Sequence, residues 1–124
     1  MKSKSDVRII ICDDDPVTRV VLTKTLEELG YKVTQQASDA FQAITLCETL
    51  QPDILFLDIN MPGLDGLTAI ELIRNTAPST NIILVSGAST LDNVRKAIKL
   101  GVRAFVVKPF NGPKLTDAIV KCVF

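Results

Sequence analysis

Apolar and polar positions along this chain alternate between two periods, five times over. Val7–Cys12 is a nearly continuous apolar run broken off by acids, the pattern of a strand buried on both faces. Asp15-Pro16 then supplies an N-cap and a proline at the first helical position, Leu22, Leu26 and Leu29 recur at helical spacing, and Gly30 closes the helix. Tyr31–Ala37 predicts a weaker strand. Asp39 with Gln42 forms a capping-box pattern opening a helix whose apolar stripe is Ala40, Ala43, Ile44, Cys47 and Leu50. After Pro52, Asp53–Leu57 predicts a third strand ending at Asp58, and the turn-rich segment Asn60–Gly66 leads into a helix near Leu67–Asn75. Asn81–Val85 reads as a fourth strand, with Leu91, Val94 and Ile98 marking the next helix, which Gly101 stops. Ala104–Val107 reads as the fifth strand, and Leu115, Ala118, Ile119 and Cys122 mark the last helix.

Apolar strands alternating with amphipathic helices predict right-handed crossovers and a parallel sheet covered by helices on both faces. Its ligands are then expected at the carboxyl ends of the strands. Four of the five strands deliver a polar group there: Asp13, Asp14 and Asp15 after the first, Asp58 after the third, Ser86 after the fourth and Lys108 after the fifth. Two carboxylates about 4 Å apart repel by about 4 kcal/mol at an effective dielectric of about 20, so gathering Asp13, Asp14 and Asp58 calls for a cation. Oxygen donors without His or Cys favour Mg²⁺, with Mn²⁺ or Ca²⁺ as alternatives. A metal, an ammonium and a hydroxyl around a carboxylate make a phosphoryl site in which the carboxylate is the nucleophile.

Composition removes competing classes. The chain has 124 residues, the size of one domain, and we expect a single domain over 1–124 with its core at about 7–123. Its 14 basic and 14 acidic residues cancel, which argues against a nucleic-acid partner. There is no histidine, so imidazole bases, histidine triads and most zinc sites are excluded. Cys12, Cys47 and Cys122 have no metal-ligand spacing and read as core residues of a protein in the reducing cytoplasm. No apolar run is long enough to insert in a membrane.

Four motifs in this order and spacing resemble the receiver domain of bacterial two-component response regulators: Ile9-Ile10-Ile11-Cys12-Asp13-Asp14-Asp15, Asp58-Ile59-Asn60-Met61-Pro62-Gly63-Leu64-Asp65-Gly66, Val85-Ser86-Gly87-Ala88 and Val106-Val107-Lys108-Pro109-Phe110. The resemblance implies a doubly wound, flavodoxin-like (βα)5 α/β fold with strand order 2-1-3-4-5. It makes Asp58 the phosphoacceptor and Mg²⁺ (Mn²⁺ as substitute) the cofactor. Asp14 and the backbone carbonyl of Asn60 are then direct ligands, and Asp13 binds mostly through water. Ser86 matches the switch hydroxyl that bonds the phosphoryl group, Lys108 the lysine that pairs with it, and Phe105 the aromatic switch. A cis peptide before Pro109 is implied, and Gly87 is a position kept small for access of the phosphodonor.

The implied partners are a histidine kinase or histidine phosphotransfer protein and a downstream protein. For the latter, Arg95, Lys96, Lys99 and Arg103 suggest a docking face on the fourth helix and fifth strand. Phe105 lacks the tyrosine hydroxyl found in the best-known chemotaxis regulators. Ala88 offers no polar side chain to hold an attacking water, which predicts a long-lived phosphorylated form. An aspartyl-phosphate phosphatase of the haloacid-dehalogenase type needs a second Asp two residues after the nucleophile; here that position is Asn60. The intact set Asp13, Asp14, Asp58, Ser86 and Lys108 likewise argues against a receiver-like module that docks without phosphorylation.

Overall fold

Each apolar run becomes a strand and each amphipathic segment a helix. The structure, a computed structural model, describes residues 3–87 and 91–123, the side chains of Leu91 and Asp92 excepted. A short 3-10 turn at Lys4–Asp6 precedes β1 (Arg8–Cys12), α1 (Pro16–Glu28), β2 (Lys32–Ala37), α2 (Ala40–Leu50), β3 (Ile54–Asp58), α3 (Gly66–Thr76), β4 (Asn81–Ser86), α4 (Leu91–Lys99), β5 (Ala104–Val107) and α5 (Gly112–Val123). All strand pairings are parallel, in the order β2-β1-β3-β4-β5. The fold is the doubly wound, flavodoxin-like one.

Side chains alternate across the pleat and build two separate cores. Ile9 and Ile11 of β1, Ile54 and Phe56 of β3, Ile83 and Val85 of β4, and Ala104 and Val106 of β5 pack with Leu22 and Leu26 of α1 and with Leu115, Ala118 and Ile119 of α5. Ile10 and Cys12, Leu55 and Leu57, and Ile82 and Leu84 point the other way, onto Ala43 and Cys47 of α2, Ile70 and Ile73 of α3 and Ala97 of α4. The three central strands are therefore apolar at consecutive positions. β2 lies at an edge and is mostly exposed, which explains its weaker pattern, and its pairing with β1 shifts register between Ile9 and Ile10.

The start and stop signals act as expected, with one variation. Asp15 caps α1 by accepting from the Val17 N–H at 3.0 Å, and Asp39 caps α2 by accepting from the Gln42 N–H at 2.8 Å. The return bond of Gln42 goes to the N–H of Ser38, one residue before the cap. α1 and α4 end alike. Gly30 and Gly101 take φ of +96° and +102°, and the residues after them, Tyr31 and Val102, donate back to the carbonyls of Leu26 and Ala97. That closure needs a left-handed residue, the conformation glycine adopts without a Cβ penalty.

Several expected boundaries move by a residue or more. Val7 and Tyr31 are buried but precede their strands, while Asp58 and Ser86 are the last residues of theirs rather than the first beyond them. On α4 the apolar stripe differs from the expected one: Val94 and Ala97 are buried, whereas Ile98 is 54% exposed. A helix rotates about 100° per residue, and seating Ala97 against the sheet turns Ile98 away. The side chain of Leu91 lies outside the described residues.

Core and surface positions should respond differently to truncation. Phe56 is fully buried, so Phe56→Ala is expected to lower unfolding free energy by about 3–5 kcal/mol. Ile98→Ser should change it by no more than about 0.5 kcal/mol. Denaturant titration measures both, and an equal cost would contradict the packing described.

Candidate functional site

Three functional side chains continue one pleat row. Asp13 follows Ile9 and Ile11, Asp58 follows Ile54 and Phe56, and Lys108 follows Ala104 and Val106, all on the face that packs against α1 and α5. Parallel pairing aligns these rows, so the three meet beyond the apolar core at the carboxyl edge. The Lys108 ammonium donates to Asp13 Oδ2 at 3.0 Å and to Asp58 Oδ2 at 3.5 Å. The Lys108–Pro109 peptide is cis, and the Lys108 N–H donates to the Ser86 carbonyl at 2.7 Å, tying the start of this loop to β4.

Asp13 is 2% and Asp58 5% exposed. Asp13 also accepts from the Asp15 N–H through Oδ1 at 2.9 Å, and its own N–H donates to the Ala37 carbonyl. Asp58 accepts from the Asn60 N–H at 2.9 Å, which fixes its carboxylate plane. Burial nevertheless pushes the Asp58 carboxyl above its ordinary range, with the Asn60 N–H and Lys108 only partly offsetting this and Asp13 adding to it. Lys108 itself is held above the usual lysine range: its bonds to Asp13 and Asp58 outweigh its own desolvation. Lys108 and Asp58 thus both lean toward binding a proton, Asp58 because burial disfavours its charge and Lys108 because two carboxylates face it.

Carboxylate oxygens of Asp13, Asp14 and Asp58 lie within 4.8 Å of one another. Asp14 is the exposed member of the three. Three carboxylates against one ammonium leave a deficit of two positive charges, and the donors are all oxygen. That suits a hard divalent cation. Asp15 does not join the group, since its carboxylate caps α1 and accepts from the Thr18 hydroxyl, bonds that hold its carboxyl below the usual range. The neighbouring thiol of Cys12 is pushed up to about 12 by burial and by Asp39, Asp13 and Asp58. It is neutral, as is that of Cys47, and both are buried core groups.

Ser86 is buried at the end of β4, and its hydroxyl accepts from the Asn60 side-chain amide at 3.3 Å. Gly87 is exposed, and among the described residues a Cβ there would meet nothing closer than Lys108 Cδ at 4.0 Å. The Phe105 ring is 46% exposed, on the opposite pleat row from Lys108. Ala88 lies outside the described residues. Arg95, Lys96, Lys99 and Arg103, on and after the fourth helix, are all exposed. Lys99 borders a groove with Glu71 and Arg74 of α3, whereas Arg103 donates to the Lys121 carbonyl on α5. Sequence reasoning missed Arg19, whose guanidinium donates to the Asp13 carbonyl at 2.6 Å. A cation on the first turns of a helix opened by an acidic run was the signal available for it.

Comparison with known proteins agrees with this geometry. The family model for the response regulator receiver domain matches residues 9–120. The chemotaxis protein CheY of Thermotoga maritima is 34% identical over 114 residues, covering 92% of this chain and 95% of that one. The response regulator domain of Thermotoga maritima CheB superposes with a TM-score of 0.85 at 28% identity, over 94% of this chain and 95% of that chain. A chain of the CheX-CheY-BeF3-Mg+2 complex from Borrelia burgdorferi does so with a TM-score of 0.88 at 25% identity, over 94% and 88% of the two. With five parallel strands in the order 2-1-3-4-5 and acids, hydroxyl and lysine converging at their carboxyl ends, the chain belongs to the response regulator receiver domains and is of the chemotaxis-regulator type.

Proposed function

We propose that this domain accepts a phosphoryl group on Asp58 from the phosphohistidine of a sensor kinase or phosphotransfer protein in the cytoplasm, with Mg²⁺ bound at the site. The observation that carries the reading is the convergence of Asp13, Asp14 and Asp58 on one edge with Lys108 as their counter-ion. Asp13, Asp14, Asp58 and the backbone carbonyl of Asn60 are the groups that hold the cation. When bound, it supplies positive charge to the phosphoryl oxygens.

Asp58 is oriented for attack by the Asn60 N–H, with its other oxygen beside Lys108. Transfer breaks the P–N bond of the donor, leaves the electron pair on the imidazole nitrogen, which takes a proton, and forms a P–O bond to Asp58. Gly87, which has no side chain of its own, leaves access for the donor. Lys108 then exchanges Asp13 and Asp58 for a phosphoryl oxygen in a charge-assisted bond. The Ser86 hydroxyl, bonded to the Asn60 amide at rest, turns to a second phosphoryl oxygen. Phe105, half exposed at rest, follows by packing into the space Ser86 vacates, which alters the face formed by α4 and β5 where a downstream protein docks. The groove of about 280 Å³ between β5 and α5, lined by Phe105, Lys114 and Asp117 among others, is the part of that face nearest the ring. Receivers of this family are signalling modules rather than turnover enzymes, and Asn60 stands where a haloacid-dehalogenase phosphatase needs its second acid.

Acetyl phosphate with Mg²⁺ is expected to add one phosphoryl group to the wild type and none to Asp58→Ala, read by intact mass; equal labelling would refute the assignment. Lys108→Ala should keep the fold but lose the response of Ser86 and Phe105 amide shifts to beryllofluoride, and wild-type shifts in that variant would count against the switch. The raised Asp58 carboxyl makes a stability prediction without metal. Its ionised form is disfavoured in the folded state, so stability falls as pH rises from the ordinary carboxylate range through the raised value. Asp58→Asn should therefore melt at a higher temperature than wild type at neutral pH, with the gap closing on acidification. A gap that widens toward acid would overturn it. Finally, Ala88→Glu should speed loss of the phosphoryl group about tenfold or more if water orientation limits hydrolysis. Phosphate release after donor removal, compared with wild type, decides this.

A further inference from the structure

The acidic loop between β1 and α1 is gripped from the helix side by Thr18, on the Asp15 carboxylate, and by Arg19, on the Asp13 backbone. Arg19 sits in the second turn of α1, and its backbone N–H makes the first intrahelical bond, to the Asp15 carbonyl. The half-buried side chain folds back over the helix start, and Nη1 donates to the Asp13 carbonyl at 2.6 Å. Asp13 is then held at every polar group: its N–H by Ala37, one carboxylate oxygen by the Asp15 N–H, the other by Lys108 and its carbonyl by Arg19. None of these bonds reaches the carboxylate of Asp14, which is exposed. The backbone of Asp14 begins at the Asp13–Asp14 peptide, whose oxygen Arg19 holds.

We propose that Arg19 is a positioning residue for the divalent-cation site: by fixing the Asp13–Asp14 peptide plane, it aims the Asp14 carboxylate at Asp13 and Asp58. The inference rests on the Mg²⁺ reading of the site given above. Geometry and charge make opposite demands at Arg19. A guanidinium held on the Asp13 carbonyl repels an incoming cation, so its charge alone weakens metal binding. Its hydrogen bond preorganises the ligands, so its geometry strengthens binding, as do outer partners that orient metal ligands elsewhere. The sign of the effect on removal therefore separates the two. Arginine suits the task because its planar fork gives a directed bond while the charge stays diffuse.

The test uses Arg19→Met, which keeps the aliphatic stem, and Arg19→Lys, which keeps the charge and a donor. Mg²⁺ binding is measured by calorimetry, and labelling by acetyl phosphate is followed over a range of Mg²⁺. Arg19→Met is expected to bind Mg²⁺ about tenfold more weakly than wild type. Its labelling rate should return to within about twofold of wild type at saturating Mg²⁺, because Asp58 and Lys108 are intact. Arg19→Lys should fall between the two. Binding by Arg19→Met equal to or tighter than wild type overturns the proposal, as does a labelling rate that stays low at saturating Mg²⁺. Loss of binding in both variants together with a lowered melting temperature also overturns it, because Arg19 is then a structural group only. Failure of the wild type itself to bind Mg²⁺ overturns the reading of the site instead.

Discussion

One ammonium shared by two buried carboxylates organises this domain's working edge. Lys108 bridges Asp13 and Asp58 across the sheet, 3.0 Å from one and 3.5 Å from the other. Both acids lie at the end of an apolar row, where water cannot dissipate their charge. Leaving either unpaired would cost several kcal/mol, about what breaking a buried ion pair costs elsewhere. The bridge also leaves the site short of positive charge, since Asp14 brings a third carboxylate toward the same ammonium. A cluster of that charge and oxygen chemistry could hold a divalent cation.

The apolar sheet beneath makes this possible. Ile9, Ile11, Ile54, Phe56, Ala104 and Val106 belong to one core, and their rows deliver Asp13, Asp58 and Lys108 at the same height and on the same face. Packed interiors deform little, so the spacing of the charged groups is held by the strands. Ser86 and Phe105 stand on the other face of β4 and β5. Among the described residues the Ser86 hydroxyl has one partner, the Asn60 amide at 3.3 Å, and Phe105 stands half exposed.

Chemistry on the loop after β1 is divided among neighbours. Asp13 is buried and fully bonded, Asp14 is exposed beside it, and Asp15 leaves the cluster to cap α1. Three consecutive identical residues thus hold three different positions, because the chain turns from a pleated strand into a helix within their length. Arg19 reaches back from that helix to the hinge between them.

Much of this was legible in the residues alone. The apolar runs and helical spacings specified all five strands and five helices, because burial on both faces requires unbroken apolar strands and burial on one face requires an i, i+3, i+4 stripe. Asp13, Asp14, Asp58, Ser86 and Lys108 were marked by standing at the ends of those runs. Tertiary structure decided the rest. The exposure of Ile98 depends on which of two adjacent stripes of α4 is seated, and its sequence carries both. That Lys99 borders α3 while Arg103 reaches α5 depends on how those helices pack, which no local spacing encodes. The bond from Arg19 to a backbone carbonyl was hidden for the same reason: every residue has a carbonyl, and only the folded turn of the Asp13–Asp15 loop presents this one to a guanidinium six positions on.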